Sequence, residues 1–148
     1  MITSETWVAV ATLMADYWWR VDGGSERPVD ELYAENCLMH IGTARREGRE
    51  QIRQFFEERR QGEIAARRTT RHLVSNLLIV PVEAGRIRVH STVQVMAGNG
   101  DLPLASAPAA TLADFEDVMV EVSPGVWRIE NRRARVVFSG AGASSFAR

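Results

Sequence analysis

The spacing of hydrophobic residues changes from helical to alternating near residue 68. Over residues 4–21, Trp7, Val10, Met14, Tyr17, Trp18 and Val21 recur at intervals of three and four, the stripe of an amphipathic helix. Thr3 or Ser4 can cap its start, Glu5 falls in the favourable first turn, and Gly23-Gly24 stops it. Pro28 to Tyr33 reads as a second short helix, with proline in its first turn. Asn36 to Gly42 alternates as a strand, with Cys37, Met39 and Ile41 on one face and Leu38 and His40 on the other. Thr43 to Gly48 is a polar connection. Glu50 to Arg60 is a third helix, with Ile52, Phe55 and Phe56 as core stripe and Glu and Arg at ion-pair spacings on its polar face.

From Arg68 onward the period is two. Strands are predicted over Arg68–Val82, Arg86–Met96, Thr111–Val122 and Val126–Phe138, with tight turns at Glu83-Ala84-Gly85 and Ser123-Pro124-Gly125. Ala97–Ala110, rich in Gly, Pro, Ala and Ser, reads as a mobile hairpin tip or pocket lid. The small, polar tail Ser139–Arg148 is expected to be loose until Phe146. Helices followed by long strands make an α+β order. The expectation is a cone-shaped α+β barrel, with three N-terminal helices packed on a strongly curved, mostly antiparallel sheet that encloses a pocket. The 148 residues fit one domain spanning 1–148, its core at about 5–138.

Composition narrows the chemistry. A single cysteine excludes an internal disulfide and a multi-cysteine zinc site, and a cytoplasmic protein is expected. The N-terminus lacks the basic-then-apolar layout of a signal peptide, and no apolar run is long enough to span a bilayer. With a net charge of −1 and interleaved signs, nothing draws the chain toward nucleic acid or an anionic membrane. All 18 basic residues are arginine, so a lysine Schiff base and the pyridoxal chemistry that needs one are excluded. Neither a Gly-rich phosphate loop with lysine nor G-x-G-x-x-G occurs.

Few groups remain that could move a proton near neutral pH: His40, His72 and His90. His72 opens a strand in Arg71-His72-Leu73-Val74-Ser75-Asn76, where regular alternation groups it with Val74, Asn76 and Leu78. Asp22 lies where the first helix stops; the negative end of the helix dipole raises its proton affinity, which suits a base, unless it is an exposed loop residue. A carboxylate bonded to one imidazole nitrogen fixes the tautomer and leaves the other free to take a proton. His90 shares a face with Arg88, Thr92 and Gln94, either a polar cavity wall or a solvent face. His40, beside Leu38, is a pocket wall or a structural histidine. The three histidines show no short ligand spacing, and neither a metal nor an organic cofactor is expected. Tyr17, Trp18 and Phe55 are core residues or a wall for a flat apolar ligand. Arg132 is a surface residue or a partner for an oxyanion.

Four stretches in order carry a family resemblance: Tyr17-Trp18-Trp19-Arg20-Val21-Asp22; Leu32 to Cys37 followed by a strand and Gly48-Arg49-Glu50-Gln51-Ile52; Arg71 to Asn76; and Gly125-Val126-Trp127-Arg128-Ile129 followed by arginines. Over about Glu5 to Phe138 the chain resembles the SnoaL-like branch of the nuclear transport factor 2-like superfamily. Its site pattern is similar to those of scytalone dehydratase and a hexachlorocyclohexane dehydrochlorinase. That resemblance implies Asp22 and His72 as the catalytic pair and His90 as a third member. Tyr17, Trp18, His40, Phe55, Asn76 and Arg132 are then the candidates for binding a small hydrophobic or aromatic molecule. It implies a cofactor-independent lyase or isomerase in a homodimer or homotrimer. The alternatives are a non-catalytic subunit, like the beta subunit of a ring-hydroxylating dioxygenase, and a small-molecule binding module.

Overall fold

The computed structural model describes residues 1–147. Helix α1 spans Ser4–Val21, and the Thr3 hydroxyl accepts the Thr6 N–H at 3.1 Å to cap it. The face carrying Val10, Met14, Tyr17, Trp18 and Val21 is buried, while Trp7 at the start of the stripe stays largely exposed.

Among the described residues there are two α-helices, not three. The second expected helix is a single 3₁₀ turn at Val29–Leu32, after which the chain is already extended in β1, Tyr33–Ile41. Tertiary contacts override the local signal. The buried Arg20 guanidinium binds Asp16 and Glu31 and donates to the Pro28 carbonyl at 2.7 Å, which latches the turn to α1. The Tyr33 hydroxyl meets that of Tyr17 at 2.9 Å, holding Tyr33 in the core as a strand residue. The polar stretch after Ile41 turns back through Gly42-Thr43 into a short strand β2, Ala44–Glu47. Its charged residues suit a sheet edge that must not pair further. Helix α2 spans Gly48–Ala66, longer than expected, and ends at Arg67 in the left-handed conformation.

The long strands β3 (Arg68–Glu83), β4 (Arg86–Asn99), β5 (Thr111–Ser123) and β6 (Val126–Ser139) follow in sequence, and the sheet order is β2-β1-β6-β5-β4-β3. All neighbours are antiparallel except β1 and β6, so the six-stranded sheet is mixed. Register shifts interrupt β3, β5 and β6 pairing at several points, and such bulges sharpen sheet curvature. Both α-helices share one core with the sheet face that carries Val89, Val93, Phe115, Met119 and Ile129. No helix among the described residues is long and apolar enough to cross a membrane.

The tail is docked rather than loose. Gly140 N–H donates to the Ala110 carbonyl, Thr43 N–H to the Phe146 carbonyl at 3.1 Å, and the Ser139 hydroxyl to the Ala147 carbonyl. The Phe146 ring packs edge-on against Phe55 at 5.6 Å. Gly42 is what permits this: its φ is +56°, and a Cβ there would stand 1.8 Å from the Phe146 carbonyl oxygen. Gly42→Ala is expected to cost at least about 1–2 kcal/mol through the left-handed backbone alone, and to release the tail. Faster amide exchange at Thr43 and Ala147 in the variant would register it; unchanged exchange would contradict it.

Candidate active site

Asp22 is the residue at which α1 ends. Its backbone N–H still bonds to the Trp18 carbonyl at 2.9 Å, which sets the direction of its side chain toward the start of β3. There Oδ2 accepts the His72 backbone N–H at 2.8 Å. Oδ1 accepts the Thr70 hydroxyl at 2.8 Å and lies 2.6 Å from His72 Nδ1. The two side chains are 7% and 10% exposed, so the aspartate, although in the turn that follows α1, is not an exposed loop residue. A carboxylate at that distance assigns the ring proton to Nδ1 and leaves the Nε2 lone pair free. Trp18 stacks on the imidazole with centroids 4.4 Å apart and planes 9° apart, which holds the ring in that orientation.

The electrostatics favour a neutral imidazole beside an ionised carboxylate. Burial pushes the His72 proton affinity down, the nearby Arg59 and Arg68 charges push it further, and together they outweigh the pull of Asp22. For Asp22 burial acts upward, yet the hydrogen bonds and charge of His72 and the Thr70 hydroxyl bring its carboxyl below the ordinary value.

His72 of the pair lines a narrow cavity of about 70 Å³. Its walls are mainly apolar: Phe55 and Phe56 from α2, Val93 and Val95 from β4, Ala113 and Phe115 from β5, and Val136 from β6. Tyr17 and Trp18 contribute from α1, and Ala143, Ser144 and Phe146 of the tail close one side. Walls of this polarity suit an apolar or aromatic ligand.

Three of the expected ligand-binding residues therefore reach the cavity: Tyr17, Trp18 and Phe55. Besides Asp22, which meets His72 but does not line the cavity, four expected site residues do not reach it, and each has a physical reason. His90 projects from the opposite side of the sheet, because β4 alternates regularly and its inward positions are Val89, Ser91, Val93 and Val95. It lies 3.9 Å from Glu116, and the cross-sheet row His90, Glu116, Arg133, His40 carries His40 to that same outer face. Asn76 sits at a bulge with φ +54°, exposed. That bulge switches the parity of β3, so Thr70 and His72 share their inward side with Ile79 rather than Leu78. Arg132 is neither on the surface nor in the cavity. It is fully buried, with both a 2.7 Å pair of bonds to Asp117 and its guanidinium carbon 4.0 Å from the Tyr17 ring centre.

Three polar neighbours of the pair escaped the sequence reading: Thr70, Arg59 and Glu63. Thr70 was accessible by alternation, two residues before His72. Arg59 and Glu63 continue the α2 stripe of Ile52, Phe55 and Phe56 at helical spacing, and a charge on a core-facing stripe was the available signal.

The chain belongs to the SnoaL-like domain family, within the nuclear transport factor 2-like superfamily; the family model matches residues 3–133. No curated protein matches the sequence. Among solved structures, the chain is similar to ActVI-ORFA from Streptomyces coelicolor, at 15% identity and a TM-score of 0.77, over 90% of this chain and 96% of that one. A protein from Novosphingobium aromaticivorans provisionally named a scytalone dehydratase superposes with a TM-score of 0.72 at 20% identity, covering 97% and 100% of the two chains. A Catenulispora acidiphila protein solved in complex with S-DNPA gives 0.71 at 17% identity over 90% and 95%. At these identities the likeness establishes the fold.

Proposed function

We propose that the chain is a cofactor-independent lyase of dehydratase type, or an isomerase, acting on a small cyclic or aromatic hydroxy-ketone-like substrate. The observation that carries this reading is the buried 2.6 Å Asp22–His72 contact at the wall of an apolar cavity. Simple ligand binding does not call for such a pair, and the cost of burying it argues for use. His72 Nε2 takes a proton from the carbon next to the substrate carbonyl, and the electron pair moves into an enolate. Asp22 stabilises the imidazolium that forms. The enolate then expels the β-hydroxyl, which leaves as water with the proton returned by His72. In an isomerisation the same proton returns to a different carbon. With His90 on the far side of the sheet, one histidine serves as both base and acid. The family's membership, which includes dehydratases and isomerases, supports this class.

The test is a panel of cyclic β-hydroxy ketones, followed by the ultraviolet absorbance of the conjugated enone and by deuterium uptake from heavy water. Enone formation identifies the lyase, and exchange with migration of unsaturation identifies the isomerase. Tight binding with neither would overturn the enzymatic reading in favour of a binding module. The pH dependence follows from the sign of the His72 shift. Its proton affinity is held below the ordinary value of 6.5, so kcat/KM is expected to be flat above that pH. The rate should fall only as the solution is acidified through the depressed value. An acid limb centred above 6.5 would contradict a neutral buried base.

A further inference from the structure

Beside Asp22 stands a second polar cluster that the acid–base step does not use. Arg59 Nη2 donates to the Thr70 hydroxyl at 3.3 Å, and that hydroxyl donates to Asp22 Oδ1 at 2.8 Å. The order matters: with an arginine donor on its oxygen, the Thr70 hydrogen has the carboxylate as its acceptor. Arg59 Nη1 also donates to the carbonyl of Val21 at 2.8 Å, the residue just before Asp22. One guanidinium thus ties the end of α1 to the start of β3, the two elements that hold the pair. Glu63, one helical turn on, approaches Arg59 at 2.9 Å, with their side chains 7% and 15% exposed. That carboxylate oxygen lacks a well-formed hydrogen bond, so its contact with Arg59 is one of charge. A buried ion pair of this kind is commonly no more stabilising than apolar residues of the same volume. The α2 stripe places apolar residues at its other inward positions, so stability does not explain this choice.

We propose that Thr70, Arg59 and Glu63 are positioning residues for the Asp22–His72 pair: Thr70 orients the carboxylate, Arg59 fixes Thr70 to the end of α1, and Glu63 offsets the Arg59 charge so that His72 still accepts a proton. This rests on the acid–base reading of the pair but adds residues to it. The charged surroundings of His72 are few. Asp22 comes from α1, Arg59 and Glu63 with Arg60 behind them from α2, and Arg68 with the exposed Arg71 from β3. β4 and β5 present Val93, Val95, Ala113 and Phe115 to the cavity, and β6 contributes Arg132, neutralised by Asp117 and separated by Trp18. Removing Glu63 leaves the Arg59 charge unbalanced and disfavours the imidazolium. Removing Arg59 does the reverse. Removing the Thr70 hydroxyl leaves Asp22 a stronger base and also favours the imidazolium.

The experiment is a titration of the His72 imidazole by nitrogen-15 NMR in the full chain, with the resonance assigned through His72→Gln. No substrate is needed. Glu63→Gln is expected to move the midpoint down, and Arg59→Gln and Thr70→Val to move it up, each by about 0.5–1 pH unit; Thr70→Ser should restore the original value. Shifts of one sign for Glu63→Gln and Arg59→Gln, or no shift in folded variants, would overturn the proposal. If Arg59→Gln fails to fold, the opposed shifts of Glu63→Gln and Thr70→Val carry the same decision. Shifts as expected in a protein that turns over nothing in the ketone panel would uphold the positioning role and reject the lyase reading.

Discussion

His72→Ala is expected to lower turnover in the proposed reaction by about 10²–10⁴-fold, the usual worth of a positioned acid–base group, with the circular dichroism spectrum retained. His72→Gln, which keeps more of the volume stacked on Trp18, should give a similar loss, which would separate the effect from one of packing. Asp22→Asn is the sharper case. The substitution is nearly isosteric, yet the amide presents a donor toward Nδ1 where the carboxylate presents an acceptor. If the amide nitrogen takes the Oδ1 place, the ring proton is driven to Nε2, and the atom that should accept the substrate proton is blocked. The Oδ2 place faces the His72 backbone N–H at 2.8 Å, a donor that cannot turn away, whereas the Thr70 hydroxyl at the Oδ1 place can rotate, which favours that orientation. A loss in Asp22→Asn comparable to that in His72→Ala is therefore expected, measured as kcat/KM above pH 6.5. Full activity in either variant would remove the pair from the mechanism.

The pair was legible in the sequence because two simple signals coincide. The stripe of α1 runs unbroken to Val21, glycines follow, and the only nearby carboxylate at the helix end is Asp22. His72 follows the change of hydrophobic period by a few residues, so it had to lie near the beginning of a strand. What alternation cannot show is where it is reset. The bulge at Asn76 exchanges the two faces of β3, and nothing in Ser75-Asn76-Leu77 announces a positive φ except that asparagine tolerates one. The same regularity that misplaced Leu78 gave two open sides for His90, and only the packing of β4 on the core chooses between them. The second helix was misread for another reason. Proline and two acids make a sound local start, but Tyr17 and Arg20 draw the next residues into the core as a turn and a strand. Arg132 shows the limit of composition: an arginine beside another arginine suggests solvent, and its burial depends on Asp117, fifteen residues away and directly opposite on the adjacent strand.

Arg132→Met is expected to destabilise the fold by about 3–5 kcal/mol, because it leaves the Asp117 carboxyl group in the core without its partner. For a protein whose total stability is on the order of 5–15 kcal/mol, that is a large share, and the thermal midpoint should fall by about 10 °C or more. Both side chains are 0% exposed, so neither charge can turn to water for relief. Asp117→Leu should cost a similar amount by stranding the guanidinium, which already has one nitrogen, Nη1, without a hydrogen-bond partner. The double variant, Arg132→Met with Asp117→Leu, is expected to recover most of the loss, since the attraction of the pair largely offsets the cost of desolvating it. Urea unfolding of the three variants and the parent completes the cycle, and additive losses in the double variant would refute a coupled buried pair. The stability regained should not bring all of the function back. The Arg132 guanidinium carbon lies 4.0 Å from the Tyr17 ring centre and 5.5 Å from that of Trp18, so it supports the two rings on which the cavity wall and the His72 stack depend. A double variant that unfolds like the parent but binds ring compounds more weakly would place the pair's value in holding that floor rather than in stabilising the fold.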